Sequence, residues 1–238
     1  MVFLFEIELN MLGLCIILIL SALLLWILKR KSLTILGLKP NQARSRDFLI
    51  GFCLSILLCT FYHLLKAGIA KNTWLWNPEL DTIAVGNGIL WVVKSVLFEE
   101  LLFRGVLLFL VIEYMGWRKG CFISAMMFGL YHWFSYGVLG FPMQMLLVFI
   151  STGLIGWVLA FAYAKTGTLW LPIALHLGWN LCHIILFSNG PLGAMILTPA
   201  NANKPEGIPS LLLFIFQLLA LPAAAFLYVK WRTTKTKL

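Results

Sequence analysis

Charge is what this chain has least of. Only 11% of its 238 residues are charged and nine are acidic, while 61% are hydrophobic. A water-soluble domain of this length could not bury so much apolar surface, so the composition points to a bilayer as solvent. Cysteine is sparse and scattered. Cys15, Cys53, Cys59, Cys121 and Cys182 fall in or beside apolar stretches, without CxxC spacing. This reads as five small hydrophobes, neither a disulfide framework nor a metal cluster. A GxSxG elbow and HExxH are also absent, and no Ser–Lys pair stands in a convincing context. The usual serine nucleophile and the two-histidine zinc helix are therefore set aside. No low-complexity tract or internal repeat is visible.

What is present is a series of long apolar runs. About 20 helical residues cross a hydrocarbon layer of roughly 30 Å. Seven runs approach that length: 11–28, 48–65, 83–115, 120–136, 143–164, 169–188 and 208–229. The third is too long for one perpendicular span, and the fourth is short and interrupted by Gly129. LGLCIILILSALLLWIL is apolar on all sides, whereas barrel strands alternate apolar and polar. The expected fold is all-α, a polytopic bundle of about seven transmembrane helices around a polar intramembrane cavity. One integral membrane domain, 1–238, is expected. The acidic flank Glu6 and Glu8, and the absence of a small-residue cleavage site, make Met11–Leu28 a retained helix and not a signal peptide.

The net charge of +9 follows from topology. Lys29, Arg30, Lys31, Lys39, Arg44, Arg46, Arg118, Lys119, Lys165, Lys230, Arg232, Lys235 and Lys237 all fall on one side of seven alternating spans. The opposite loops hold only Lys66, Lys71 and Lys204, offset by Glu79, Asp81 and Glu206. This bias places the amino terminus outside and the carboxyl terminus in the cytoplasm. The basic residues then meet lipid headgroups, and no nucleic-acid module is expected.

Against this background LFEELLFRG, 97–105, is anomalous. A charged side chain at mid-span costs roughly 2.5–3.5 kcal/mol on insertion scales, so it faces a partner or a cavity. Glu100 and Arg104 stand four apart, acid first, in the orientation that favours an ion pair on a helix. Glu99 is left without a charge partner on its own helix. Further along, FGLYH sets Phe128 and His132 four apart, and HLGWN does the same for His176 and Asn180. Each pair shares a helix face. Counted at about 1.5 Å per residue, the groups can meet between the midplane and the cytoplasmic side. Each polar group alone also reads as an interhelical contact.

Together they suit water activation. Glu99 beside a neutral His132 can take a proton from water, and the hydroxide can attack a peptide carbonyl. His176 and Asn180, one turn apart, can donate to the oxyanion. A divalent metal such as zinc, held by Glu99 and the two histidines, stays open on ligand type.

EELLFR, FGLYH and HLGWN, in that order on successive apolar helices, resemble the EExxxR, FxxxH and HxxxN motifs of the CPBP family of glutamate-dependent intramembrane proteases. This family includes CaaX prenyl endopeptidases and the Abi-type proteins of bacteriocin processing and immunity. TGTLWLPIALH and the earlier LGLKP are similar to the family's lead-in segments. The resemblance spans about 92–183. It implies a helical membrane hydrolase with a water-filled cavity. Glu99 and His132 would activate water, His176 and Asn180 would stabilise the oxyanion, and Glu100 and Arg104 would hold the site in shape. The implied substrate is a membrane-associated or lipidated protein or peptide, of which a prenylated CaaX protein is one kind. His63 and His183 lie outside the motifs and receive no role. Two rival readings are a non-proteolytic immunity or scaffold protein that binds a peptide with the same fold, and a transporter with a Glu99–His132 proton relay.

Overall fold

A computed structural model describes residues 2–235, with side chains described from 11 to 234. Glu6, Glu8, Lys235 and Lys237, which enter the signal-peptide and topology readings, lie outside the residues whose side chains are described. The described chain is helical throughout its length apart from connections and one short β-ribbon. The helices are α1 (Val2–Lys29), α2 (Gln42–Ile69), α3 (Thr82–Arg104), α4 (Val106–Met115), α5 (Trp117–Ser135), α6 (Pro142–Thr166), α7 (Trp170–Asn180) and α8 (Gly207–Lys235). α7 continues as a π-helical turn over Leu181–Leu186.

Among the described residues four segments are long and apolar enough to cross a membrane: Met11–Lys29, Gln42–Ile69, Pro142–Thr166 and Gly207–Thr234. The expected overlong third span is two helices. It breaks at Gly105, whose backbone (φ −77°, ψ −136°) leaves helical space. A side chain there would collide with the Leu101 carbonyl oxygen. α4, with ten residues, spans only about 15 Å and cannot cross a bilayer.

Local signals explain the helix boundaries. Asn41 accepts from the Arg44 amide to start α2, and Asp81 accepts from the Ile83 amide to start α3. Pro142 occupies the first turn of α6, where its missing N–H costs nothing. Gly167 ends α6 in the left-handed region at φ +65°.

The bundle packs most densely where small residues let helices approach. Between α2 and α7 the contact is built from Gly51, Ser55, Ala174 and Gly178. A Cβ on Gly178 would strike Ser55 Oγ and come 2.7 Å from the Phe52 carbonyl oxygen. Ser55 donates its hydroxyl back to the Gly51 carbonyl at 2.9 Å, so it fits this apolar seam without an unpaired donor. α5 packs along α6 in the same manner, with Gly156 against the Phe128 ring. Leu25, Leu36, Leu159, Leu171, Leu175 and Leu221 are fully or almost fully buried in the main core.

One end of the bundle gathers the basic residues. Lys29 pairs with Glu113 at 3.0 Å, tying the end of α1 to the end of α4. Asp47, fully buried, binds Arg232 at 2.6 Å and accepts from the Tyr228 hydroxyl at 2.8 Å, tying α2 to α8. Lys165 lies 3.7 Å over the Trp117 ring. At this end the LGLK segment grips the start of α7. Thr168 Oγ1 donates to the Gly37 carbonyl at 2.9 Å, the Leu169 amide to Leu36 at 3.2 Å, and Trp170 Nε1 to Leu38 at 3.1 Å. At the far end Trp74–Trp76 pairs antiparallel with Leu197–Pro199. α7 is thus held at its start by one loop and along its length by α2, which sets the depth of His176.

Candidate active site

Glu99, Glu100 and Arg104 stand in the last two turns of α3 and face the interior, with Glu100 and Arg104 fully buried and Glu99 9% exposed. Arg104 Nη1 donates to Glu100 Oε1 at 3.1 Å, the ion pair that the four-residue spacing predicts. Its Nη2 donates to the Gly156 carbonyl on α6 at 3.3 Å. That carbonyl is reachable because Gly156 lets Phe128 pack against the α6 backbone. The guanidinium carbon lies 4.0 Å above the Phe128 ring, a buried cation–π contact.

Phe128 organises the site in a second way. Its carbonyl oxygen accepts from His132 Nδ1 at 2.7 Å. A carbonyl only accepts, so this contact puts the proton on Nδ1. His132 Nε2 then faces Glu99 Oε2 at 3.9 Å. On α7, His176 Nδ1 lies 2.8 Å from Glu100 Oε1 and donates to it by the same argument. His176 Nε2 faces the same Glu99 Oε2 at 3.8 Å. One carboxylate oxygen, buried and without a hydrogen-bond partner, therefore sits between two imidazole Nε2 atoms. Glu99, His132 and His176, from three helices, come together.

Glu99 also has a neighbour that the motif spacing does not reveal. Ser95, one turn earlier on α3, donates to Glu99 Oε1 at a long 3.4 Å. The sequence contains this Ser at i−4, but nothing marks it among other helical serines. Asn180 lies one turn beyond His176, half-buried where α7 passes into the π-turn. Among the described residues its side chain has no hydrogen bond to Glu99, His132 or His176. His63 and His183 form a separate cluster with no contact to Glu99 among the described residues.

Chemically, the space around Glu99 Oε2 is lined by acceptors when both imidazoles are neutral. It suits a water molecule donating two hydrogens, or a cation. The donor set, one carboxylate oxygen and two imidazole nitrogens, is of a type that binds zinc. The separations of 3.8 and 3.9 Å are wider than the roughly 3.3 Å between ligands at tetrahedral zinc with bonds near 2.0–2.1 Å. They leave room for a water.

Beside the site, between α3–α4 and α5, runs an apolar groove of about 650 Å³ lined by Phe103, Leu107, Val111, Met127, Tyr131 and Phe134. It abuts the histidine, since the Tyr131 ring packs edge-on to His132 at 5.3 Å.

No curated protein and no solved structure matches the chain. A family model does: residues 81–182 match type II CAAX prenyl endopeptidase Rce1-like. The matched stretch runs from the cap of α3 into the π-turn and carries Glu99, Glu100, Arg104, Phe128, His132, His176 and Asn180. Over residues 81–182 the chain is similar to the Rce1-like family of type II CAAX prenyl endopeptidases.

Proposed function

We propose that this integral membrane protein is an endopeptidase that hydrolyses a peptide bond of a membrane-associated or lipidated substrate, with Glu99 as the general base. The observation that carries the reading is the unpaired, buried Glu99 Oε2 between His132 Nε2 and His176 Nε2.

Glu99 takes a proton from the water held there, and the hydroxide oxygen bonds to the scissile carbonyl carbon. His132, its Nδ1–H committed to the Phe128 carbonyl, offers Nε2 as a second acceptor for that water. The carbonyl oxygen becomes an oxyanion. The C–N bond then breaks, and the proton held at Glu99 goes to the departing amine. His176 is the oxyanion donor, and the geometry adds a condition. Its Nδ1–H is already given to Glu100, so Nε2 donates only when the ring is protonated at both nitrogens. Glu100 holds that imidazolium. With it, two carboxylates face two cations and the buried set is neutral, which low-dielectric surroundings favour. Asn180, one turn away, supplies the second donor. A divalent cation bound by Glu99, His132 and His176 would supply Lewis acidity at the same place.

The apolar groove next to Tyr131 supports a lipidated or transmembrane substrate, which would lay its hydrocarbon there and its peptide at Glu99. The basic end of the bundle faces the cytoplasm by the positive-inside bias. The reacting side chains fall within 92–183 of a single membrane domain.

The test compares membrane-proteome terminal peptides in cells with wild-type protein or Glu99→Gln at equal accumulation. A terminus found only with wild type, and produced again by purified protein in proteoliposomes, is expected. Wild-type function in the same cells with no terminus changed overturns the protease reading in favour of a peptide-binding immunity or scaffold protein.

A further inference from the structure

Outside the catalytic constellation the molecule holds a second group of ligand-bearing side chains. Cys59 and His63 lie one turn apart on α2, and His183 lies in the π-turn after α7. Cys59 Sγ and one ring nitrogen from each histidine all lie within 4.8 Å of one another. Cys59 and His63 are fully buried. His63 Nε2 and His183 Nδ1 stand 2.9 Å apart, so a proton lies between them.

That contact leaves a problem at the other His63 nitrogen. Nδ1 is buried and has no hydrogen-bond partner. Were it an N–H, an unsatisfied buried donor would cost about 1–3 kcal/mol. The better arrangement protonates Nε2 towards His183 and leaves Nδ1 with a bare lone pair, on the helix that carries Cys59 one turn before. A lone pair of this kind, walled from water, is what a metal ligand presents.

The surroundings complete the case. The His63 ring stacks on Phe187 at 4.3 Å, and Trp74 lies edge-on at 5.4 Å. Trp74 Nε1 donates to the His63 carbonyl at 3.2 Å, fixing the indole in place. An aromatic shell of this kind limits solvent access and lowers the dielectric at a metal centre. Cys182, packed beside Cys59, brings a second sulfur to the same cluster. Its thiol is now engaged by Thr60 Oγ1 at 3.4 Å and the Ile56 carbonyl at 3.7 Å.

We propose that Cys59, His63 and His183 form a second metal site, for a zinc-class divalent cation, with Cys182 as the adjacent candidate for a fourth ligand. Thiolate plus imidazole is the donor set that zinc takes in closed structural sites. Binding converts the Cys59 thiol to a thiolate and releases its proton to solvent, while His183 turns its Nδ1 lone pair from the His63 Nε2–H to the cation. His183 follows His176 by seven residues, about 10 Å along the helix, so the site is separate from Glu99. Its effect is to clamp the far end of α7 to α2, holding the helix that carries His176 and Asn180. π-turns of this kind recur at functional positions.

The experiment uses full-length protein in detergent, in the Glu99→Gln background so that any metal at Glu99 is weakened. After chelator treatment and dialysis, cobalt(II) is added as a spectroscopic stand-in for zinc. One cobalt per chain with a thiolate-to-cobalt charge-transfer band is expected, and further Cys59→Ala or His183→Ala should abolish the band. Failure to retain cobalt, a spectrum without the thiolate band, or a band untouched by Cys59→Ala overturns the proposal. If the added variants fail to accumulate, X-ray absorption of the zinc-loaded parent decides. Sulfur together with imidazole in the zinc shell supports the site, and a shell of light atoms alone overturns it.

Discussion

His176 Nδ1 donates to Glu100 Oε1 at 2.8 Å, and the same oxygen accepts from Arg104 Nη1 at 3.1 Å. A single carboxylate oxygen thus ties the histidine of α7 to the arginine of α3. Glu100 is more than half of a helix ion pair. It fixes which nitrogen of His176 faces Glu99.

Glu100→Ala should therefore damage fold and chemistry together. It leaves Arg104 buried beside the Gly156 carbonyl and the Phe128 and Phe103 rings without its ion-pair partner, and breaking a buried pair costs about 3–5 kcal/mol. Thermal unfolding in detergent should show the loss. Arg104→Lys should fall in the same direction, since an ammonium cannot span Glu100 and Gly156 as the guanidinium fork does.

Glu99→Gln should separate chemistry from folding. The amide keeps the volume and can still accept from Ser95, so unfolding should shift little. Cleavage should drop at least about 10²-fold, the scale of a lost general base. Hydrolysis of a lipidated peptide in proteoliposomes, measured beside the thermal midpoint, checks both halves.

Gly178→Ala tests the seam that sets the depth of His176. The new methyl would meet Ser55 Oγ and the Phe52 carbonyl, and overpacking of this kind costs about 1–3 kcal/mol. Adding Ser55→Ala should recover only part of the stability, because the Phe52 backbone still lies 2.7 Å away. Activity should fall further than stability explains, since α7 must move and carries His176 with it.

Gly105→Ala tests the break after α3. Its Cβ would overlap the Leu101 carbonyl, so the chain must straighten or shift at the residue after Arg104. Loss of stability of about 1–3 kcal/mol is expected. Gly116→Ala is the useful contrast. Its Cβ would meet no neighbour, and any cost there comes from its φ of +82° alone.

Much of the candidate site was legible in one dimension because helix geometry turns spacing into direction. Glu100 and Arg104 pair as their four-residue separation demands. His132 accordingly reaches the Phe128 carbonyl one turn back. Composition likewise demanded a membrane fold that satisfies its backbone internally, and the unalternating apolar runs chose helices over a barrel. Other features depend on contacts between distant residues, which have no local signature. Gly105 looked like any glycine within an apolar run until the Leu101 carbonyl was seen to occupy its missing side chain. The unpaired Glu99 oxygen acquired meaning only when two histidines from other helices were placed at 3.8 and 3.9 Å. Cys59 and His63 read as ordinary helix interior, because their third member, His183, lies 120 residues beyond His63. Periodicity and polarity determined the helices and the pairs within each. Only tertiary packing, governed by where small residues let helices close, decided which pairs would face one another.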